Sequence, residues 1–385
     1  MIKVQVSVVI GADIAPTKSN YKYFRNADVE NLIGNDLISI LDEHCFRIFN
    51  LETPLTDTIS PISKCGPCFS APVETVNAIC AMNPSLISLA NNHILDQGEQ
   101  GLVSTIKLLD NHKVPHVGVG INSTDAAQPY ILEKDRLKIG VYSCTEHEFS
   151  IATELTAGAN AFDCFESLIH IRNLKHRCDH VIVLYHGGKE YYQYPSPNLQ
   201  KCCKKMVEAG ADLVICQHSH CIGCFEKYNN STIVYGQGNF LLDNSDKELW
   251  KTSLLVSAKF DGETVSIDYC PITKCGNHIR KATNDQASDI LSAFYNRSEK
   301  IMQEGFIRIE YNKFAETMYI PYLNALHGDN PMTKVLTRIT KRKIIKSLYS
   351  EEALLKILNY FECEAHKELL IASLKTSLNK VSCEF

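Results

Sequence analysis

Two histidines one residue apart, His218 and His220, stand at the end of an apolar run in the segment VICQHSHCIGCFE, Val214 to Glu226. Imidazole nitrogens in such a pair suit a borderline metal such as Zn, Mn or Fe. On an extended chain, side chains at i and i+2 share a face, so both rings can serve one site. Other polar residues sit in the same kind of place. Asp13 follows VVIGA, Asn50 and Glu52 follow FRIF, Asn91, Asn92 and His93 follow LISLA, and His186 follows VIVLY. In an α/β sheet, ligands bind at the carboxyl ends of the strands. A lone histidine after a strand is usually a satisfied structural residue. Several strands that each end in carboxylate, amide or imidazole argue instead for one convergent metal centre.

Two cysteine pairs compete for attention. Cys221 and Cys224 have no second close Cys or His pair at finger-like distance, so they read as packing or a turn. Cys65-Gly66-Pro67-Cys68 has the sequence of the thioredoxin redox tetrapeptide. Redox work needs the first thiol at a helix N-terminus, which activates the thiolate. Here Pro72 follows soon after and TISPIS precedes, so the pair reads as loop and as a bystander. The chain has 16 cysteines at irregular spacing, many inside apolar runs such as those around Cys80, Cys144 and Cys216. Free thiols in a reducing compartment are the expectation.

The elements that must position these groups alternate. Strand-like runs VQVSVVIG, FRIFNLE, SLISLANNH, VPHVGVG, YILEK, KIGVYSC, HVIVLYH and ADLVICQH are interleaved with helical patterns. The helices are expected over Val29 to Leu41, VETVNAICAM, GEQGLVSTIKLLDNH, Asn160 to His176 and Asn198 to Ala209. Short strands follow in STIVYGQGNF, KTSLLVSAKF and TVSIDYCPI. This alternation predicts an α/β domain over residues 1–275. Residues 276–385 read as a mainly helical C-terminal extension, with 16 basic against 13 acidic residues, net +3 against −8 for the rest. The basic run KRKIIK, Lys341 to Lys346, reads as a solvated helix face before a docking patch. A net charge of −5 gives no reason to expect a nucleic-acid partner. The start, MIKVQVSVVIGADIAP, reads as a first core strand and not as a signal peptide. No run is long and apolar enough to cross a bilayer. The expected location is cytoplasmic, with a peripheral position at a membrane left open.

Five stretches also carry a family resemblance: NLETPLTD (Asn50 to Asp57), LANNHILDQGEQG (Leu89 to Gly101), HGGKEY (His186 to Tyr191), EAGADLVICQHSH (Glu208 to His220) and GQGNFLLD (Gly236 to Asp243). They resemble the CapA-type capsule and poly-γ-glutamate biosynthesis family, over about residues 1–270. The resemblance implies a layered metallophosphatase-like α/β/β/α sandwich. It implies one or two divalent ions (Mn, Zn or Fe) on Asp13, Glu52, Asn92, His186, His218 and His220. Glu52 takes the place of a bridging aspartate, and His93 that of an acid or charge stabiliser near the leaving group. Glu190 is close enough to His186 in sequence to hold a ligand group or orient the ring; a surface salt bridge is the competing reading. Asn239 is a turn residue by sequence and a pocket residue by resemblance. Three positions depart from the pattern: Ala15 where a histidine is usual, Gln217 where glycine is usual, and Gly187 where tryptophan is frequent. The function implied is metal-dependent hydrolysis of an anionic or phosphorylated substrate in surface-polymer biosynthesis, with a membrane-associated biosynthetic complex as a partner. The alternative is a non-catalytic protein that keeps the fold to bind or assemble an anionic polymer.

Overall fold

The computed structural model describes residues 5–242, 247–328, 331–340, 345 and 347–382. The basic run Lys341 to Lys346, apart from Ile345, and Asp243 of GQGNFLLD lie outside them.

Two sheets form the frame. The first has the order β16 (His278–Lys281), β15 (Val265–Cys275), β14 (Thr252–Phe260), β1 (Val6–Ile14), β2 (Phe46–Leu51), β3 (Leu86–Ser88), β4 (His116–Val117), and β13 (Asn239–Leu241) also pairs with β1. The second has the order β11 (Phe225–Tyr228), β12 (Ser231–Tyr235), β10 (Leu213–Gln217), β9 (His180–His186), β7 (Leu137–Thr145), β6 (Tyr130–Lys134). A two-stranded ribbon joins β5 (Val119–Gly120) to β8 (Gly158–Ala159). The central strands β1, β2, β3 and β7, β9, β10 run parallel within their sheets, while β14, β15 and β16 add antiparallel strands.

Alternation along each strand decides the layers. In β1, Val6, Val8 and Ile10 enter a core shared with Ile182 and Leu184 of β9 and Leu213 and Ile215 of β10. That core lies between the sheets. The intervening Val9 faces the other way, into a cluster with helices α1 (Tyr21–Arg25), α2 (Val29–Asp42), α3 (Val76–Ala81) and α4 (Gly98–Asn111). In β9, Val181, Val183 and Tyr185 meet α6 (Glu166–Lys175) and α7 (Pro197–Glu208) in a third cluster; the one-turn α5 (Ser123–Ala126) lies beside β5 and β8. Near-continuous apolar strands buried on both faces are what such packing requires. The architecture is an α/β/β/α sandwich, each fully buried aliphatic side chain contributing about 1.5–3 kcal/mol of transfer free energy.

Three local features differ from the sequence expectation. The helix expected from Asn160 begins at Glu166. Residues 158–159 are strand, and Asp163 turns its carboxylate back to accept from the backbone N–H groups of Phe165 (2.7 Å) and Glu166 (2.9 Å). Strands β11 and β16 are additional to the expected set, and β16 falls inside the segment read as helical. The chain divides into two compact units, Met1–Arg308 and Ile309–Phe385. The helix α8 (Asn284–Ile301) belongs to the first. Its Phe294 packs with Ile222 and Leu254, and Ile301 joins the cluster beneath α7. The second unit is helical, and includes helices Pro331–Ile339, Glu351–Glu362 and Glu364–Ser382.

Candidate metal centre

Strand register sets the frame of the site. Asp13 on β1 is level with Asn50 on β2 and with Asn239 on β13. On the other sheet Thr145, His186 and Gln217 share one row across β7, β9 and β10. The two rows meet at the carboxyl ends of the parallel strands. Gln217 links them: its Nε2 donates to the Gly11 carbonyl (3.2 Å) and to Gln237 Oε1 (3.2 Å), and Gln237 in turn donates to the Ile10 carbonyl (2.9 Å). A glycine at 217 would remove this inter-sheet tie.

Six expected ligands converge. His186 Nε2 lies 3.3 Å from Glu52 Oε1 and 3.0 Å from Asn92 Oδ1. Asp13 Oδ1 accepts from Asn50 Nδ2 at 2.7 Å, and Asp13 Oδ2 is 3.9 Å from His220 Nδ1. Glu52, His186 and His218 form one set whose ligand atoms lie within 4.8 Å of one another; Asp13, Glu52 and His220 form a second. Glu52 belongs to both. It is fully buried; His186 approaches Oε1 at 3.3 Å, and Oε2 has no hydrogen-bond partner. His218 Nδ1 and Asn239 Nδ2 are buried and unpaired as well. Buried polar groups are almost always paired, because desolvation without compensation is costly. A buried carboxylate among imidazoles, with an oxygen left unpaired, is the donor set of a divalent cation, so these residues fit the metal that the family resemblance implies.

Electrostatics describe the same crowding. Burial, and then the neighbouring Glu52 charge, raise the Asp13 carboxyl to about 6. Burial would also raise Glu52, but the charges of His186 and His220 outweigh it and hold the group below the usual carboxylate range. His186 is raised: burial opposes the charged form, and Glu52 and Asp13 overcome it. His218 is pushed well below its ordinary value by burial and by the adjacent His186.

His218 and His220 reach the site by a route the sequence did not suggest. Both have positive φ, 84° and 52°, just past the end of β10. The chain there is a left-handed turn and not an extended strand, and the two rings stand 5.8 Å apart. Such conformations cost of order 1–3 kcal/mol and persist where surrounding structure imposes them.

His93 lies beside the ligands. Its Nδ1 is 2.5 Å from Asp96 Oδ2, its ring stacks on Phe69 at 4.1 Å, and its backbone N–H donates to Asn91 Oδ1. Asp96 is itself gripped by Lys64 and by the Phe69 backbone N–H. Glu190 is half-buried and has no hydrogen bond or ion pair among the described residues. The carboxylate that approaches His218 is that of Glu146, at 3.6 Å. Sequence reading missed Glu146, although it follows β7 as the other candidates follow their strands. It also missed Asp96 and Lys64. Gly187 leaves room for Glu146: a Cβ there would lie 2.6 Å from the Tyr185 ring and 3.1 Å from Glu146 Oε2. Cys221 and Cys224 are buried, and burial raises Cys221 to about 11, so neither is a ready thiolate.

The chain thus has the metallophosphatase-like α/β/β/α fold, with carboxylates, an amide and imidazoles gathered at the ends of its parallel strands. The profile of the bacterial capsule synthesis protein PGA_cap family matches residues 7–244, and the chain belongs to that family. It is 30% identical over 209 residues to the capsule biosynthesis protein CapA of Bacillus anthracis, covering 53% of this chain and 51% of the relative. It is 29% identical over 174 residues to the PGA biosynthesis protein CapA of Bacillus subtilis strain 168, covering 44% and 46%. The chain thus spans about half the length of these relatives. Among solved structures, a phosphatase from Mycoplasma pneumoniae superposes with a TM-score of 0.48 at 12% identity, over 71% of this chain and 96% of that one. A 5′-nucleotidase precursor from Thermus thermophilus gives 0.41 at 12%, over 78% and 60%. No helix among the described residues is long and apolar enough to cross a membrane.

Proposed function

We propose that the chain is a metal-dependent hydrolase of the phosphoesterase type, acting on an anionic or phosphorylated substrate in surface-polymer biosynthesis. One observation carries this reading: the buried Glu52 carboxylate, approached by the His186 ring at 3.3 Å and with its Oε2 unpaired, is shared by two ligand sets. Asp13, Glu52, Asn92, His186, His218 and His220 would hold one or two divalent ions. A bound ion supplies Lewis acidity toward charge on the entering and leaving oxygens. Asn50 orients Asp13 through a 2.7 Å hydrogen bond, and Asn239 accepts from His220 Nδ1 at 2.8 Å, which fixes that ring. His93, braced by Asp96 and packed on Phe69, is placed to deliver a proton to the leaving group. Glu146 takes the carboxylate position beside His218. The names of the relatives support the polymer context, and a membrane-associated biosynthetic complex is the partner that context suggests.

Elemental analysis of the purified protein, with and without the double substitution His218→Ala, His220→Ala, tests the centre. The parent should carry a transition metal and the folded variant should lose most of it; equal content in both would sink the site. A panel of phosphomonoesters and diesters with added Mn tests the chemistry. A metal-replete protein that turns over none of them would be a binding or assembly protein for an anionic polymer instead.

A further inference from the structure

His218 sits on irregular backbone, with φ 84° just past the end of β10. The pairing of β10 with β9 stops at Gln217, so the sheet does not hold this turn. One nitrogen of the ring, Nδ1, is buried without a partner. The other, Nε2, lies 3.6 Å from Glu146 Oε1. That is an ion-pair separation, and a small rotation of the ring makes it a hydrogen bond.

Glu146 is itself anchored. Its backbone N–H donates to the His186 carbonyl at 3.0 Å, which ties it to the residue that carries a second candidate ligand. Its Oε2 accepts from the Gly188 N–H at 3.3 Å, and Oε1 is left to face His218. The arrangement depends on Gly187, where a Cβ would lie 3.1 Å from Glu146 Oε2. The Glu146 side chain is 35% exposed and that of His218 5%, so the carboxylate meets the ring from the outer side of the centre.

We propose that Glu146 is the positioning residue of His218: its carboxylate accepts from Nε2–H, so that Nδ1 is the nitrogen turned to the ion that Glu52 would share. The inference rests on the reading of these residues as a metal centre. A neutral imidazole has one N–H and one lone pair. The nitrogen beside a carboxylate keeps the proton, and the buried, unpaired one keeps its lone pair for the ion; such a partner fixes both tautomer and ring orientation. Glu146, Glu148 and His218 also have ligand atoms within 4.8 Å of one another. As a cation site of their own they are poorer, since Glu148 is exposed and Glu146 Oε2 is already engaged.

The tautomer can be read on the parent itself, whether or not variants fold. In the whole chain loaded with Zn and carrying ring-¹⁵N histidine, long-range proton–nitrogen correlation should show His218 as Nε2–H with a metal-bound Nδ1, its signal identified by loss in His218→Gln. Competition with a chelator gives the affinity. Glu146→Ala should weaken Zn binding by about 10–100-fold, the usual cost of losing such a partner. Glu146→Gln, which keeps an acceptor oxygen, should recover most of that loss. Zn per chain at saturation should equal the parent's in both variants. An Nδ1–H tautomer at His218, an alanine variant that binds as tightly as the parent, or a glutamine variant as weak as alanine would overturn the proposal. So would an ion lost at saturation from Glu146→Gln or from Glu148→Ala, because Glu146 would then be a ligand of an outer ion and not a brace for His218. A parent that binds no Zn overturns the metal centre and this inference together. A parent that binds Zn, loses it in His218→Ala, His220→Ala and keeps its affinity in Glu146→Ala overturns this inference alone.

Discussion

At the scale of single residues, the buried ion pair beneath His93 sets the sharpest expectations. Lys64 is 2% and Asp96 0% exposed in their side chains, and together they fix the ring. His93→Ala should lower kcat on any ester the parent hydrolyses by roughly 10²–10⁴-fold, the usual scale of general-acid help, with metal content nearly unchanged. An unaltered kcat would take the role away. Lys64→Met should act differently, because it strands the Asp96 carboxylate in the interior. Breaking a buried pair on one side costs about 3–5 kcal/mol. Chemical denaturation should show a loss on that scale, and Lys64→Met with Asp96→Asn should recover part of it; a single variant as stable as the parent would mean that water already reaches Asp96. That Asp13, Glu52, Asn92, His93, His186, His218 and His220 come together in space was legible from type and place, since each follows an apolar run. Lys64 was not legible. It is 32 residues from Asp96, in a segment whose cysteines drew the attention, and only the tertiary fold makes it a partner.

At the scale of elements, the loop through Cys65 and Cys68 has a use that its cysteines do not explain. It delivers Lys64 to Asp96 at one end and Phe69 to His93 and Asp96 at the other. Cys65 is exposed and Cys68 half-buried, with its Sγ donating to the Ile62 carbonyl at 3.4 Å. Serine retains that geometry. Cys65→Ser with Cys68→Ser should therefore leave metal content and hydrolysis within about two-fold, in line with exposed substitutions that break no buried network. A protein that catalyses insulin disulfide reduction, and loses that activity in the double variant, would overturn the bystander assignment. Pattern found the long elements, because α2 and α4 carry a 3.6-residue period and β9 is a continuous apolar run buried along its whole length. It misplaced the start of α6, where Asp163 ends a loop by capping from its own side chain, and it misjudged the histidine turn. His218-Ser219-His220 looks like continuing strand; only the left-handed backbone at both histidines shows otherwise.

At the scale of the whole molecule, the place where the first unit ends bears on the metal centre. Composition shifts near residue 276, yet compactness runs to Arg308. The reason lies in α8. Arg297 donates from Nε to the Gly223 carbonyl at 2.7 Å and from its guanidinium to that of Ile222 at 3.1 Å, and Ser298 accepts from the Phe225 backbone N–H at 2.9 Å. These bonds hold the segment that directly follows His218 and His220. Gly223 has no slack, since a Cβ there would fall 1.8 Å from the Tyr235 carbonyl oxygen. The strained histidine turn is thus clamped from a helix some seventy residues further along. A chain ending at residue 308 should fold and keep the parent's metal content, because every proposed ligand and the clamp remain. A chain ending at residue 275 loses Phe294, Arg297, Ser298 and Ile301 at once. The buried aromatic alone is worth about 3–5 kcal/mol, a large share of the 5–15 kcal/mol that holds a domain together. That shorter chain should melt at a markedly lower temperature and bind less metal per folded molecule. Equal metal content and melting temperature for the two truncations would show that α8 is dispensable and that His218 and His220 are positioned by the sheets alone.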